Sequence, residues 1–273
     1  MKTCFIGGGV MTEAIIKGAI GQGVLRSEHI HVGEPLAERR AWLSSQYGVT
    51  ASSGNRDPIL NAELVVLAIK PQQLTHVLPE LKDILSPNQT ILSIVAGATI
   101  QLIQKELNHL PVIRVMPNTP SQIGSGISVW TSSKEVEHLA KNTAESILSA
   151  LGTQIYVERE DYLDMATAVS GSGPAYVFAF MESLTAAAVE LGIPEQMAKQ
   201  LVVETVLGSA NLIKETGEEP SKLRSAVTSR GGTTESALLE LERYGFQTSI
   251  RYAVKAAHEK ARSIGSHTEE SKP

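Results

Sequence analysis

Continuous apolar runs recur through the first half of the chain and then stop. Leu64-Val65-Val66-Leu67-Ala68-Ile69, Thr90-Ile91-Leu92-Ser93-Ile94-Val95 and Val112-Ile113-Arg114-Val115-Met116 carry almost no polar alternation. Such runs are the mark of strands buried on both faces of a sheet. Thr3-Cys4-Phe5-Ile6 and His29-Ile30-His31-Val32 read as two earlier strands. Ile127-Ser128-Val129-Trp130 alternates more, which places it nearer an edge. Helical segments stand between the first strands, from about Val10 to Ile20 and from Leu36 to Tyr47. Strand, helix, strand in this order predicts right-handed crossovers and a doubly wound sheet.

After about Val157 the strand signals end. Asp161 to Val169, Ala175 to Leu191, Pro194 to Glu215, Lys222 to Val227, Thr234 to Tyr244 and Phe246 to Ile264 all favour helix. Ala186-Ala187-Ala188 and Met197-Ala198 are strong helix formers with little bulk. The charge cluster Glu158-Arg159-Glu160-Asp161 marks the change. The expected division is an α/β domain over 1–158, an all-α domain over 159–265 and a small, polar, unfolded tail over 266–273. A helical domain so rich in Ala and Leu is expected to pack against a copy of itself.

The chain has 273 residues, 42% hydrophobic and 19% charged, with a net charge of −5 and no basic block. That balance argues against nucleic acid or an anionic membrane as partner. No apolar run approaches a membrane span, and Gly7-Gly8-Gly9 interrupts any apolar leader at once. A cytoplasmic location is therefore expected. The single cysteine, Cys4, falls in the first strand and reads as a core residue. His29 and His31 share a strand face, but no carboxylates or cysteines stand at ligand spacing, so no metal site is expected.

The first strand runs straight into Gly7-Gly8-Gly9-Val10-Met11-Thr12 and a helix. As G-x-G-x-x-G, the first two glycines are Gly7 and Gly9, and Thr12 replaces the third. Gly7 makes the tight turn, Gly9 lets the backbone approach a pyrophosphate, and the helix N-terminus faces its charge. This gives the α/β half a Rossmann-like reading, with Ile6, Gly7, Gly8, Gly9, Val10 and Met11 at a dinucleotide. Glu34 ends the second strand, where an acidic residue hydrogen-bonds the adenosine ribose and favours NAD. Arg39 and Arg40 follow closely and would instead greet a 2′-phosphate, or lie solvated on their helix. Ala68-Ile69-Lys70-Pro71 closes the strand of 64–69 and Ile94-Val95-Ala96-Gly97 the next, both at carboxyl ends that face the crevice of an open sheet. Arg114-Val115-Met116-Pro117-Asn118-Thr119-Pro120 follows the same logic, with Asn118 polar between two prolines; Asn55 is a further expected cofactor contact.

In the helical half, Ser170-Gly171-Ser172-Gly173-Pro174 reads as a break between helices, with Pro174 in the first turn of the second. No G-x-S-x-G elbow follows a strand, so a serine nucleophile lacks support. Further on, Thr228-Ser229-Arg230-Gly231-Gly232-Thr233-Thr234-Glu235 is a Ser/Thr/Gly knot between two helical patterns. Its hydroxyl residues are candidate N-caps, Glu235 falls in the first helical turn, and free amides there make a site for a small anion such as a carboxylate.

Five blocks resemble the pyrroline-5-carboxylate reductases: Phe5 to Gly9, Ala68 to Pro71, Arg114 to Pro120, Ser170 to Tyr176, and the knot, where Arg230 stands in place of the family's usual proline. Together they span nearly the whole chain in order. The resemblance implies an NAD(P)H-binding N-terminal domain and helical domains of two subunits interlocked around the active site. A homodimer follows, or a higher homo-oligomer up to a decamer. The implied reaction is hydride transfer to the C=N carbon of 1-pyrroline-5-carboxylate, giving L-proline. Ser229, Gly231, Gly232 and Thr233 would hold the substrate carboxylate. Thr234 would be the catalytic residue, its hydroxyl on the ring nitrogen, with solvent or the substrate itself as an alternative proton source. Glu160 would lie near the substrate, or be a plain helix-terminal charge. NADP is favoured slightly over NAD because the resembled family mostly prefers it, while Glu34 pulls the other way.

Two rivals remain at this level. One is a reductase of another cyclic imine or of a hydroxyacid. Hydroxyacid dehydrogenases of this kind need a helical lysine followed by an asparagine, and Lys199 is followed four residues on by Val203. The other is a non-catalytic regulatory paralogue, supported only by Thr12 and Arg230.

Overall fold

The computed structural model describes residues 1–270, with side chains through 264. Eight strands form one sheet in the order β3-β2-β1-β4-β5-β6-β7-β8. They are β1 (Thr3–Ile6), β2 (Ile30–Gly33), β3 (Thr50–Ser52), β4 (Leu64–Leu67), β5 (Thr90–Ser93), β6 (Val112–Met116), β7 (Gly126–Ser132) and β8 (Gly152–Tyr156). All neighbours are parallel except β6 and β7. The chain winds outward from β1 to β3, then crosses back to β4 beside β1. The top of β1 is therefore a topological switch point, where an open sheet leaves a crevice.

Six helices cover the sheet: α1 (Val10–Gly21), α2 (Ala37–Tyr47), α3 (Arg56–Leu60), α4 (Leu74–Lys82), α5 (Ile100–Leu107) and α6 (His138–Ser149). Two apolar clusters fill the layers. Phe5, Val32, Leu64 and Val66 pack with Ile15, Ile16, Leu43 and Ile147. Cys4, Ile6, Val65 and Leu67 pack with Ile59, Leu78, Leu81 and Ile103. Alternate residues of β1 and β4 thus serve opposite layers, which is why their sequences show no polar face. Burial pushes the Cys4 thiol far up, away from thiolate chemistry.

β3 and β8 lie outside the sequence expectation. β3 is three residues long and partly exposed, and β8 is an edge whose residues are mostly exposed, so neither presents an apolar run. β7 lies one strand in from that edge.

The helical region continues with α7 (Asp161–Ala166), a π turn (Thr167–Gly171), α8 (Gly173–Glu190), α9 (Glu195–Thr216), α10 (Pro220–Ala226), α11 (Thr233–Arg243) and α12 (Phe246–Glu270). The Ser-Gly-Ser-Gly stretch is a π turn running into α8 rather than an open break, with Pro174 in the first turn of α8. The Thr167 and Ser170 hydroxyls donate back to the Leu163 and Ala166 carbonyls. The tail expected from residue 266 is helical as far as Glu270; residues 271–273 lie outside the described residues.

By packing, the chain divides into a sheet unit, residues 1–172 with the chain from Ala256, and a helical unit, Gly173–Lys255. The expected division at 158/159 falls just before α7, whereas the packing break comes after the π turn. Buried Leu163 and Ala168, and the ion pairs of Arg114 described below, tie α7 to the sheet.

Candidate functional site

Gly7 has φ of +97°, and a Cβ there would stand 2.7 Å from the Ala68 carbonyl oxygen. Only glycine fits both demands. Gly8 is packed on the other side, where a Cβ would stand 2.9 Å from Leu43 and 3.1 Å from Glu34. Gly9 faces open space and caps α1 without any side-chain bond. The first amides of α1 are thus left for a ligand, and a helix start of this kind favours phosphate. Thr12, at the third glycine position, is buried, and its hydroxyl donates to the Gly7 carbonyl at 2.6 Å. The threonine that replaces the third glycine thus fastens the turn.

Above this turn lies a cavity of about 660 Å³. Its wall brings together Ile6, Gly7, Gly8, Gly9, Glu34, Asn55, Ala68, Ile69 and Lys70 of the expected cofactor residues. Val10 and Met11 open α1 and offer backbone amides rather than wall. Pro71, Ile94, Val95, Ala96 and Asn118 are not on this wall. Val95 belongs to the core, and the Asn118 side chain accepts the Ile127 amide at 2.9 Å, pinning the start of β7. Gly33, Pro35 and Leu36 beside Glu34, Ser53 and Gly54 beyond the unrecognised β3, and Gln73, Val77 and Glu80 complete the wall.

The glycine turn is clamped from behind. Both Glu34 oxygens accept backbone amides, Gly8 at 2.9 Å and Leu36 at 2.8 Å. Arg39 donates to the carbonyls of Gly8 and Gly9 at 2.6 and 3.2 Å and pairs with Glu13. Arg40 donates to the Glu34 and Pro35 carbonyls. Burial pushes the Glu13 carboxyl up, but bonds from Arg39, Tyr47 and Trp42 outweigh it and hold it below the usual range. Burial and the bond to Glu13 push the Tyr47 phenol up.

In the helical unit, Gly231 has φ of +73° and Gly232 is the N-cap of α11. The cap is glycine rather than one of the expected hydroxyl residues, and no side chain caps the helix. The Gly231 amide is taken by the Glu235 carboxylate at 2.6 Å, and the Gly232 amide by the Ser229 carbonyl at 3.0 Å. Of the expected carboxylate cradle, Thr233 opens the helix, followed by the expected catalytic Thr234, beside the Ser229 hydroxyl packed on Gly232. Arg230 is exposed.

Glu160 is the N-cap residue of α7, so it stands at a helix terminus. It accepts from Arg114 at 2.9 Å and from the Ile100 amide at the start of α5 at 2.8 Å. Arg114 is almost wholly buried and also pairs with Asp164 at 2.6 Å. The three charges join β6, α5 and α7. Nearby, a Cβ on Gly171 would stand 2.7 Å from the Met116 side chain, so the π turn rests on the end of β6. Among the described residues, no three His, Cys, Asp or Glu side chains gather as metal ligands. No helix among them is long and apolar enough to cross a membrane.

A doubly wound sheet with an uncapped glycine cradle at its switch point, followed by a helical region, defines a dinucleotide-dependent oxidoreductase. Two family descriptions match the chain: "NADP oxidoreductase coenzyme F420-dependent" over residues 2–97 and "Pyrroline-5-carboxylate reductase dimerisation" over 160–264. The pyrroline-5-carboxylate reductase of Synechocystis sp. is 41% identical over 95% of this chain and 97% of its own length. The Coxiella burnetii pyrroline-5-carboxylate reductase structure superposes with a TM-score of 0.87 at 39% identity, covering 96% of this chain and 98% of the other. The Plasmodium falciparum pyrroline carboxylate reductase, solved with NADP bound, gives 0.88 at 30% identity over 97% and 98%. The chain belongs to the pyrroline-5-carboxylate reductase family.

Proposed function

We propose that the chain reduces 1-pyrroline-5-carboxylate to L-proline. The observation that carries this is the start of α11: a positive-φ glycine and a glycine cap, bracketed by Ser229, Thr233 and Thr234, in a chain that also holds a dinucleotide cradle. The reduced dinucleotide supplies the hydride that reaches the C=N carbon. Either form fits this reaction, and the NADP held by the Plasmodium falciparum protein supports NADPH as one donor.

The chain's own residues supply position and charge, which a protonated cyclic imine chiefly needs. Gly7 and Gly9 leave room for the pyrophosphate, and the first amides of α1 bind it. The amides of Thr233 and Thr234, with the Ser229 hydroxyl, hold the substrate carboxylate. The Thr234 hydroxyl bonds the ring nitrogen. A threonine hydroxyl is a weak acid, so it orients a proton that water or the substrate brings. Imine, reduced dinucleotide and one proton give proline and oxidised dinucleotide. Glu160 serves as a positioning group for α7 through Arg114.

The working form is a homodimer through the helical unit, most of whose apolar side chains stand exposed in one chain. A decamer built of five such dimers is the larger assembly that the family resemblance implies.

The test is direct. Purified protein is mixed with 1-pyrroline-5-carboxylate and NADPH or NADH, and absorbance of the reduced cofactor is followed. Oxidation dependent on the imine, with proline as product, is expected; no oxidation with either cofactor contradicts the proposal.

A further inference from the structure

We infer that Glu34 makes the crevice select NADH over NADPH. This rests on the dinucleotide reading above and deepens it. A carboxylate at the end of β2 accepts the ribose hydroxyls of an adenosine and repels a phosphate in their place. In this chain the carboxylate is locked there. Its two oxygens hold the amides of Gly8 and Leu36 at 2.9 and 2.8 Å. The Gly8 amide belongs to the cradle itself. Swinging Glu34 aside to admit a 2′-phosphate would strand that amide in a buried position, so relief from the charge would cost the cradle its shape.

The two cations that stand in sequence where a 2′-phosphate needs them are occupied elsewhere. Arg39 is spent on the Gly8 and Gly9 carbonyls and on Glu13. Arg40 turns one nitrogen onto the Glu34 and Pro35 carbonyls, each at 2.8 Å. Neither lines the cavity. The ionisable side chains that do are Glu34, Lys70 and Glu80, and Glu80 accepts from Asn55 at 3.0 Å. A dianionic 2′-phosphate would thus meet a fixed carboxylate and no guanidinium. The free 2′-hydroxyl of NADH has an acceptor waiting.

The experiment uses the full chain and adenosine fragments, so that it does not depend on turnover. Affinities of AMP and of adenosine 2′,5′-bisphosphate are measured by calorimetry, beside those of NADH and NADPH. AMP is expected to bind at least about tenfold more tightly than the bisphosphate, with the same order for NADH over NADPH. Glu34→Gln keeps an acceptor oxygen for one amide and removes the charge, and the gap should close. Equal binding of the fragments, or tighter binding of the bisphosphate, overturns the inference and leaves the dinucleotide site intact. Failure of all four nucleotides to bind overturns the dinucleotide reading together with it.

Discussion

The sheet unit and the helical unit are built from equally apolar sequence, yet they end in opposite states. In the sheet unit Phe5, Ile15, Leu64, Val66 and their neighbours are sealed in two layers, each closed by its own helices. In the helical unit only Ala198 and Val202 are buried among the residues from Gly173 to Lys255. Phe178, Phe180, Leu184, Leu201, Leu207, Leu212 and Tyr252 all stand exposed. Between α8 and α9 lies an open groove of about 780 Å³ lined by Phe178, Met181, Val189, Val202 and Val203. One chain therefore completes its cofactor half and leaves its helical half unfinished. Exposed apolar area on this scale is expected to be covered by protein, and the dimerisation description that matches this region fits a second copy as the cover.

The contrast divides the chemistry as well as the packing. Removing the Thr234 hydroxyl should act on turnover alone. Thr234→Ala is expected to lower kcat about 100-fold, with dinucleotide affinity in calorimetry unchanged. Equal loss of both would mean that the α11 start serves the cofactor. Arg114→Met probes the sheet unit, because it leaves Glu160 and Asp164 without their shared cation. The expected cost is about 3 kcal/mol in a denaturant titration. A stability change within error would show that α7 is held by Leu163 packing alone.

The smallest effect is a pH dependence at the clamp. Glu13 has its carboxyl held below the usual glutamate value, so its contribution is complete above about pH 4.3 and is lost as pH falls through the lowered folded value. Glu13 and Arg39 are each about a quarter exposed, so Glu13→Gln should flatten the acid limb of stability by no more than about 1 kcal/mol. An unchanged acid limb would remove the clamp's electrostatic role.

The same division separates what could be read in the sequence from what could not. β1, β4, β5 and β6 were legible because both faces are buried and the residues show it. β3 and β8 were not, because a short strand and an exposed edge leave no apolar run. The glycine cradle was legible as spacing. The partners of its neighbours were not: Glu34 reaches Gly8 across 26 positions and Arg114 reaches Glu160 across 46. Such pairs exist only once the sheet has brought β2 to β1 and α7 to β6. At the α11 start the residue types were readable, but the Glu235 carboxylate on the Gly231 amide is a matter of backbone direction.

The most direct measurement of the two-unit account is Phe178→Glu, which places a charge on the exposed groove of α8. Oligomer mass by sedimentation, dinucleotide affinity and imine-dependent turnover are read on the same samples. The dissociation constant of the oligomer is expected to rise by about 100-fold or more, turnover to fall with the oligomer, and dinucleotide affinity to stay within about twofold. A monomer that turns over at the full rate, or an unchanged oligomer, would contradict the two-unit account.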